Sequence, residues 1–444
     1  MSDVTADDVL SVYESSVTRS LNFISPIQKR LIKTRKKPRW YYNQDIHVAR
    51  RKRRQFARRF IKNGCDENWD AFLSAKKHAC YITVESKQRY FNDVLLNCTA
   101  KTAFSTLNLL LSSNKKAACY PVHDDPDRLA NDFVDFFSIK VLDIRKFIDE
   151  ADIHIYDFLQ DSFVNVSSSV FQQFSIVTQS EILSIIRSCS QSSCSIDVMP
   201  VWLLEQRTEV ILPILTDLNV SFSSGVFPKR LKHAVVRQIR KNHNLDKELL
   251  RNYRPASNLS FCSKLIERVV VNQLSVYLDD FDLREIFQSA YRKYHSTETA
   301  LLKVYTDLSQ ALDEKLGMIL VLFDLSATFG TIDQSILLKR LETLFGITGS
   351  ALYWIRSYLV GTVDLCVTLP GGQSYFRTLE YGVPQGSVVG PCFFTLYLSQ
   401  LGNIIRKHDV NFHFYADDLQ LCLKFNPLDH FGIDDSVFRL KLYH

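Results

Sequence analysis

The sequence lacks the features of a secreted, membrane-spanning or disulfide-stapled protein. None of its apolar stretches approaches the roughly 18–20 residues that a transmembrane helix needs. The segment Met1–Asp8 contains three aspartates and no basic residue, so we expect no signal peptide. The ten cysteines include no Cys-x-x-Cys pair, which predicts reduced thiols and neither a disulfide framework nor a zinc site. We therefore expect an intracellular protein, nuclear or cytoplasmic, without a membrane partner.

Internal repeats and coiled-coil heptads are also absent, which argues against solenoid and long coiled-coil architectures. The 444 residues suffice for about two or three domains with a sizeable core.

Positive charge is concentrated in one segment. Residues 29–62 hold fifteen Lys or Arg and one acid, a net charge of +14 in a chain whose total is +6. The densest part predicts a helix that is basic nearly all round: Arg50, Arg51, Lys52, Arg53, Arg54, Arg58 and Arg59. Such a helix suits binding to a phosphate backbone or nuclear import, or it is a solvated helix or linker without a specific partner. Aromatic residues lie among the charges, and they stack on bases or pack on a neighbouring helix: Trp40, Tyr41, Tyr42, Phe56 and Phe60.

Two adjacent aspartates, Asp417 and Asp418, interrupt a segment of nearly alternating apolar residues, 412–423. This pattern predicts a strand, a tight turn and a second strand. Adjacent carboxylates repel each other, so a hairpin that presents both needs a counter-cation, and a hard divalent ion fits oxygen ligands. The alternative is a pair of solvated turn aspartates.

A third aspartate ends a buried strand. The apolar run Met318–Phe323 stops at Asp324, and a helical pattern begins about ten residues later. A carboxylate at the carboxyl end of a buried strand is often placed at a ligand site. Between the two acidic motifs lies a Pro- and Gly-rich loop, Gly382–Pro391, followed by the apolar helical run Phe393–Leu401.

The order of these motifs resembles the palm of reverse transcriptases of LINE-type (non-LTR) retrotransposons, in particular the jockey-like and chicken-repeat-like groups. The fingers motif of that family resembles Asn252–Ser260, and its next block resembles Phe287–Leu301. The resemblance is strong over roughly residues 225–426. It is weaker at three upstream blocks, Pro38–Asn43, Leu129–Phe137 and Met199–Leu204.

The resemblance implies an α+β right-hand polymerase fold of fingers and palm. We expect an antiparallel palm sheet that carries Asp324 and the hairpin aspartates, backed by helices at about 334–346 and 390–406. The implied organisation is a flexible N-terminus (1–28), a basic, mostly helical pre-polymerase connector (29–224), and a reverse transcriptase domain (225–444).

The resemblance also implies RNA-directed DNA synthesis from deoxynucleoside triphosphates, with an RNA template, a DNA primer and Mg²⁺ or Mn²⁺ as cofactor. Two metal ions would stabilise the attacking and leaving oxygens of the transferred phosphate. Asp324 and Asp417 are the expected bridging ligands, and Asp418 is a supporting one.

Nucleotide-binding roles are implied for a second group of residues. Arg254 fits a triphosphate contact, or a surface ion pair, and Arg240 or Lys241 is a second candidate, of which we favour Lys241. Phe329 corresponds to the aromatic residue that excludes the ribose 2′-hydroxyl, unless it is a core residue. The remaining candidates form the loop that approaches the nucleotide: Pro384, Gln385 and Gly386.

The chain departs from the family pattern at several positions. Gly330 stands where the family usually has Asp, which predicts a weaker local turn, and Gln334 stands where His is usual. The match fades after Asp429, so we expect the last palm motifs and the thumb to lie outside these 444 residues, as does the endonuclease. Two alternatives to an active polymerase therefore stay open: an inert, nucleic-acid-binding remnant, and a decayed copy that does not fold stably.

Overall fold

A computed structural model describes residues 4–26, 43–99, 102–104, 106–107, 120–150, 169–189, 194–242, 244–325, 328–360 and 364–429. Part of the predicted basic segment, residues 29–42 with Trp40, Tyr41 and Tyr42, lies outside the described residues. The chain divides into two compact units, residues 27–119 and residues 1–26 with 120–444. These limits differ from the predicted boundaries after residues 28 and 224, which stay a prediction.

The α-helices of the described residues are, in chain order, α1 (Ala6–Ile24), α2 (Gln44–Lys62), α3 (Asp66–Leu96), α4 (Pro126–Glu150), α5 (Gln179–Ser188), α6 (Val201–Gln206), α7 (Thr208–Asp217), α8 (Val220–Ser224), α9 (Phe261–Asp280), α10 (Thr297–Asp313), α11 (Gln334–Thr343), α12 (Gly349–Leu359) and α13 (Gly390–Arg406). The strands are β1 (His233–Arg240), β2 (Tyr253–Leu259), β3 (Gly317–Asp324), β4 (Asp364–Leu369), β5 (Gly372–Gln373), β6 (Arg377–Thr378), β7 (Asn411–Tyr415) and β8 (Asp418–Phe425). Within the described ranges, no helix is long and apolar enough to cross a membrane.

The smaller unit is built on the pair α2 and α3. Ile46 and Ala49 of α2 are buried, and the ring of Phe60 lies 4.8 Å from the ring of Trp69 on α3. This aromatic pair favours packing over base stacking for Phe60. All the predicted basic residues lie on α2, where Arg50 is half-buried and the others are exposed.

The N-terminus is helical from residue 6, so the expectation of a flexible segment was wrong for α1. Thr5 caps the helix in a reciprocal box with Asp8: the Asp8 amide donates to Thr5 Oγ1 (3.2 Å), and the Thr5 amide donates to Asp8 Oδ2 (2.9 Å). Leu10 and Tyr13 are buried in the main core of the larger unit. Asp7 and Asp8 therefore belong to a packed, capped helix.

The first sheet of the larger unit has the order β2-β1-β4-β5, with β6 also paired to β4. β1 pairs with β2 in antiparallel and with β4 in parallel orientation. Helix α4 covers this sheet, and its Phe133 is fully buried with its ring 5.1 Å from that of Tyr253 on β2. Burial of such a side chain contributes about 1.5–3 kcal/mol, which holds α4 against the sheet.

The second sheet is antiparallel, with the order β3-β8-β7. It shares one hydrophobic core with α11 and α13, through Leu337, Leu341, Phe393, Leu396, Phe414 and Leu421. This arrangement confirms the α+β fold, and the helices near 334–346 and 390–406 lie at the predicted places.

Candidate active site

The three predicted catalytic aspartates lie at one end of the second sheet. Asp324 is the last residue of β3, and Asp418, the first residue of β8, is its direct partner across the strand pair. Asp417 lies in the two-residue turn that joins β7 to β8. Its Oδ2 accepts a hydrogen bond from Thr328 Oγ1 (3.3 Å), and its carbonyl oxygen accepts one from the Leu325 amide (3.4 Å). The hairpin and the end of β3 are therefore bonded to each other at the site.

Like charges meet at this end of the sheet. Partial burial, followed by the neighbouring charges of Asp417 and Asp324, raises the pKa of the Asp418 carboxyl above its ordinary value. This is the direction expected for carboxylates that share a site without a cation.

The turn itself is held by Gln288, a residue that the sequence reasoning missed. Ala416 has a positive φ of 55°, an uncommon conformation for a residue with a Cβ. The Ala416 amide donates to Gln288 Oε1 (3.0 Å), and Gln288 Nε2 donates to the Ala416 carbonyl (3.3 Å). Because Gln288 is only 4% exposed, both bonds are shielded from water. The buried amide therefore fixes the backbone next to Asp417.

The Pro384–Gly386 loop is seated between β2 and the segment after β3. The Ser257 amide of β2 donates to the Gln385 carbonyl (2.7 Å), and the Val383 amide donates to the Phe329 carbonyl (2.8 Å). Gly386 has a φ of +123°, and a Cβ there would lie 2.3 Å from the Ser257 carbonyl oxygen. Only glycine fits this position. The side chain of Gln385 remains exposed.

A buried carboxyl lies behind this loop. Glu267 of α9 is fully buried, and its Oε2 accepts from the amides of Val388 (2.5 Å) and Val389 (3.4 Å). Its Oε1 accepts from Ser263 Oγ (2.9 Å). Burial raises the pKa of Glu267 to about 7, although these hydrogen bonds act in the opposite direction. Glu267 thus ties α9 to the loop and to the start of α13.

Basic side chains lie near these acidic groups. Arg254 lies on β2, and Lys241 follows β1, with its amide bonded to the Asn252 carbonyl (2.8 Å). Burial, followed by the positive charges of Lys140 and Arg254, lowers the pKa of Lys241, while Asp324 acts in the opposite direction. Lys140 belongs to α4 and was not predicted from the sequence.

One cavity of about 760 Å³ brings these groups together. Its lining contains the predicted residues Asp324, Asp417, Asp418, Lys241, Arg254, Phe329, Pro384 and Gln385. Gly386, the residue after Gln385, does not line the cavity. The predicted basic residues of α2 belong to the other compact unit. Phe329 lines the cavity and also packs on Phe394 (ring centroids 5.3 Å apart), and its predicted role at the ribose stays a prediction. The volume lies in the range of cavities that hold small-molecule ligands.

Comparison with known proteins assigns this constellation to a family. The family model described as reverse transcriptase (RNA-dependent DNA polymerase) matches residues 239–431. The matched segment is a reverse transcriptase domain, and it is similar to the polymerases of jockey-like, non-LTR mobile elements. It is 28% identical over 233 residues to the RNA-directed DNA polymerase from mobile element jockey of Drosophila melanogaster, and 30% identical over 223 residues to the probable RNA-directed DNA polymerase from transposon BS of the same species.

The alignments cover 50% and 49% of this chain but only 25% and 24% of those two relatives. The reverse transcriptase domain thus corresponds to about a quarter of each relative's length.

The two departures from the family pattern have clear structural settings. Asp333 caps α11 by accepting bonds from the amides of Ser335 (2.9 Å) and Ile336 (3.0 Å), so the helix start retains a carboxylate although residue 330 is glycine. Gln334 Nε2 donates to the Gly382 carbonyl (3.1 Å), which joins α11 to the loop. The cap of α11 is therefore intact, and it shows no sign of the weaker turn that Gly330 predicts.

The reverse transcriptase family uses a divalent metal ion, and the donor chemistry of the cavity fits one. The three aspartate carboxylates that line the cavity are hard oxygen ligands. In the part of the chain that the structure describes, however, no three His, Cys, Asp or Glu side chains form a ready metal-binding group.

Proposed function

We propose that this domain catalyses RNA-directed DNA synthesis, in which a primer 3′-hydroxyl attacks the α-phosphate of a deoxynucleoside triphosphate. The observation that carries the proposal is the cavity in which Asp324, Asp417 and Asp418 face the cations Lys241 and Arg254. A cavity that is lined by both acidic and basic groups suits a metal-bound polyphosphate.

Asp324 and Asp417 would hold the divalent ions, and Asp418 would support them. Bound Mg²⁺, or Mn²⁺ by its similar preference for oxygen, would stabilise the charge on the attacking and leaving oxygens. The Gln288 clamp and the Thr328 hydroxyl keep Asp417 in place for this role.

The nucleotide would contact the rest of the cavity. Arg254 and Lys241 would bind phosphate oxygens, and the exposed Gln385 side chain would lie against the base and sugar. Pro384 and Gly386 shape the loop so that its backbone approaches the ligand. Phe329, supported by Phe394, would exclude a 2′-hydroxyl and so select deoxynucleotides.

The polymer partners would be an RNA template and a DNA primer. The exposed basic side chains of α2 would add a salt-sensitive contact to a phosphate backbone. We also propose that the polymerase begins near residue 225, since β1 of the first sheet starts at His233.

Primer extension on an RNA template tests this function. Purified protein, Mg²⁺ and four deoxynucleotides should give extension that Asp417→Asn reduces at least a hundredfold, because metal charge stabilisation is worth several kcal/mol. Asp280→Asn, an exposed aspartate at the end of α9, is the matched control and should remain active. Absence of extension with salt-sensitive RNA binding intact would support the inert remnant instead. A purified chain without a cooperative unfolding transition would support the decayed copy.

A further inference from the structure

Helix α4 forms one wall of the nucleotide cavity although it precedes the matched residues 239–431. Val134, Phe137, Lys140 and Val141 line the cavity. Their spacing of three, three and one places them along one face of the helix. The cavity is therefore completed by a segment outside residues 239–431, which the family model matches.

The N-terminal half of α4 is bonded to the segment after β4, which contains β5 and β6. Asp127 Oδ1 accepts from the Gln373 amide (2.8 Å), and Asn131 Oδ1 accepts from the Tyr375 amide (3.0 Å). One turn further on, Asp135 forms an ion pair with Arg377. Three polar residues spaced by four thus hold this half of the helix against the first sheet.

The C-terminal half reaches the palm. Arg145 forms an ion pair with Asp333 (2.9 Å), the cap of α11, and its guanidinium lies 5.1 Å from the ring centre of Tyr381. Both partners of the ion pair are largely buried, with 13% and 17% of their side chains exposed. Because α4 is fixed at both ends, its central turn holds a defined position on the cavity wall.

Lys140 lies on that central turn, next to other cations. Its charge acts on Lys241, which also lies near Arg254. Lys140 is exposed and has no ion-pair partner among the described residues, whereas Lys146 of the same helix pairs with Glu150 (3.6 Å). Three cations that face one cavity repel each other unless an anion lies between them.

We propose that Lys140 binds the triphosphate of the incoming nucleotide together with Lys241 and Arg254, so that α4 is part of the substrate-binding site. The inference rests on the proposed function, because it takes the cavity to be the nucleotide site. A triphosphate carries enough negative charge to neutralise three cations, and charge-assisted bonds to phosphate are strong. Negative groups also line the cavity, namely the three aspartates and the exposed Glu380. The proposed metal ions would balance their charge.

Equilibrium binding of a fluorescent deoxynucleoside triphosphate to the full chain, with Mg²⁺, tests the proposal. Lys140→Ala should raise its Kd about tenfold, the usual effect of losing a charge-assisted hydrogen bond. Lys140→Arg should restore most of the affinity, because it keeps the charge. Lys146→Ala, which removes an equal charge from the same helix, should leave Kd unchanged. Pyrophosphate should displace the probe from the wild type at lower concentration than from Lys140→Ala.

The outcomes separate the two proposals. If the wild type binds no nucleotide, the proposed function fails and the role of Lys140 fails with it. If the wild type binds and extends, but Lys140→Ala keeps its Kd, only the role of Lys140 is overturned. A variant that keeps its nucleotide Kd and loses affinity for an RNA–DNA duplex would assign Lys140 to the polymer backbone, which also contradicts the proposal. In steady-state extension, the proposal predicts a rise in KM for the nucleotide that exceeds the change in kcat.

Discussion

Asp324 and Asp418 are direct partners across the antiparallel strands β3 and β8, so two carboxylates that are distant in sequence lie side by side. The Cβ atoms of directly opposed residues are about 4.5–5.5 Å apart. Such a pair repels itself when both groups are ionised, and it is relieved by a cation or by the loss of one charge. The strand register therefore brings two like charges together at the place where we propose that a metal ion binds.

Divalent ions should stabilise the folded wild-type protein more than they stabilise Asp418→Asn. A ligand that binds only the native state adds stability in proportion to its affinity, about 2.7 kcal/mol at one hundred times Kd. The variant has a neutral amide in place of one carboxylate ligand, so it should show a smaller rise in Tm with added Mg²⁺ or Mn²⁺. Thermal unfolding with and without EDTA measures the difference, and Asp280→Asn serves as the control. An equal rise in Asp418→Asn and in the wild type would contradict a role for Asp418 at the metal.

Gln288→Leu should lower both stability and turnover. The change leaves the buried amide and carbonyl of Ala416 without partners, at a cost of about 1–3 kcal/mol. The freed turn would also misplace Asp417, so kcat should fall more than nucleotide affinity. Urea unfolding and steady-state extension measure the two effects.

Gln273→Leu is a matched control for this prediction. Gln273 holds the backbone of Ser175 by the same two kinds of bond, 2.8 and 2.9 Å, away from the cavity lining. It should lose stability without a specific loss of kcat. A proportional loss of kcat in both variants would show that Gln288 acts only on stability.

Glu267 should make stability fall as pH rises from about 4.5 to about 7. Its folded pKa of about 7 lies above the ordinary value of 4.5, so the native state binds more protons than the unfolded chain in this window. The carboxyl is neutral in both states at low pH, and above pH 7 its buried charge costs on the order of 3 kcal/mol.

Urea unfolding of the wild type and Glu267→Gln across pH 4.5–8 isolates this effect, because other titrating groups cancel in the difference. The variant should gain stability relative to the wild type as pH rises. Parallel pH profiles would show that Glu267 does not titrate in this range. The buried Tyr358, which lies near the carboxyl, stays neutral at these pH values, because burial raises the pKa of its hydroxyl well above the ordinary value.

Gly386→Ala should distort the nucleotide loop. The new Cβ would lie 2.3 Å from the Ser257 carbonyl oxygen, in addition to the strain of a positive φ, about 1–3 kcal/mol. Moving the loop away from β2 breaks the bond between the Ser257 amide and Gln385, so KM for the nucleotide should rise. Gly371→Ala has a comparable φ of +92° and no atom nearer than 3.8 Å to its Cβ, and it is the control for strain without a clash. Equal losses of stability in the two variants would argue against the clash.

The basic helix α2 should determine the salt dependence of RNA binding. Replacing Arg51, Arg54 and Arg58, which lie on one helix face, with Ala should reduce the slope of log K against log salt concentration by about 2 if each contacts a phosphate of a single strand. The control replaces three exposed lysines of α3, Lys76, Lys77 and Lys87, and should change the slope less. Fluorescence anisotropy at several salt concentrations gives both slopes, and equal changes would indicate diffuse attraction without a site on α2.

Local patterns in the sequence were sufficient to predict the strand ends and the turn that carry the three aspartates. An apolar run that ends in Asp324 and an alternating segment split by Asp417 and Asp418 specify strand ends and a hairpin, because side-chain period and turn position are short-range properties. The Pro384–Gly386 loop followed from its composition in the same way. The N-terminal helix was missed although Thr5 and Asp8 form a capping box, which is also a local signal.

The tertiary structure alone decided which distant residues complete the site. The sequence by itself determined where Asp324, Asp417 and Asp418 would lie on their strands, but nothing near Lys140 or Gln288 indicates a cavity. The roles of Lys140 and Gln288 depend on which elements pack together: α4 crosses from the first sheet to the cap of α11, and Gln288 lies beside β7. Burial has the same origin for Glu267, whose raised pKa exists only because α9 packs against the loop before α13. Long-range packing is not encoded in any short pattern, since it depends on the simultaneous fit of many segments.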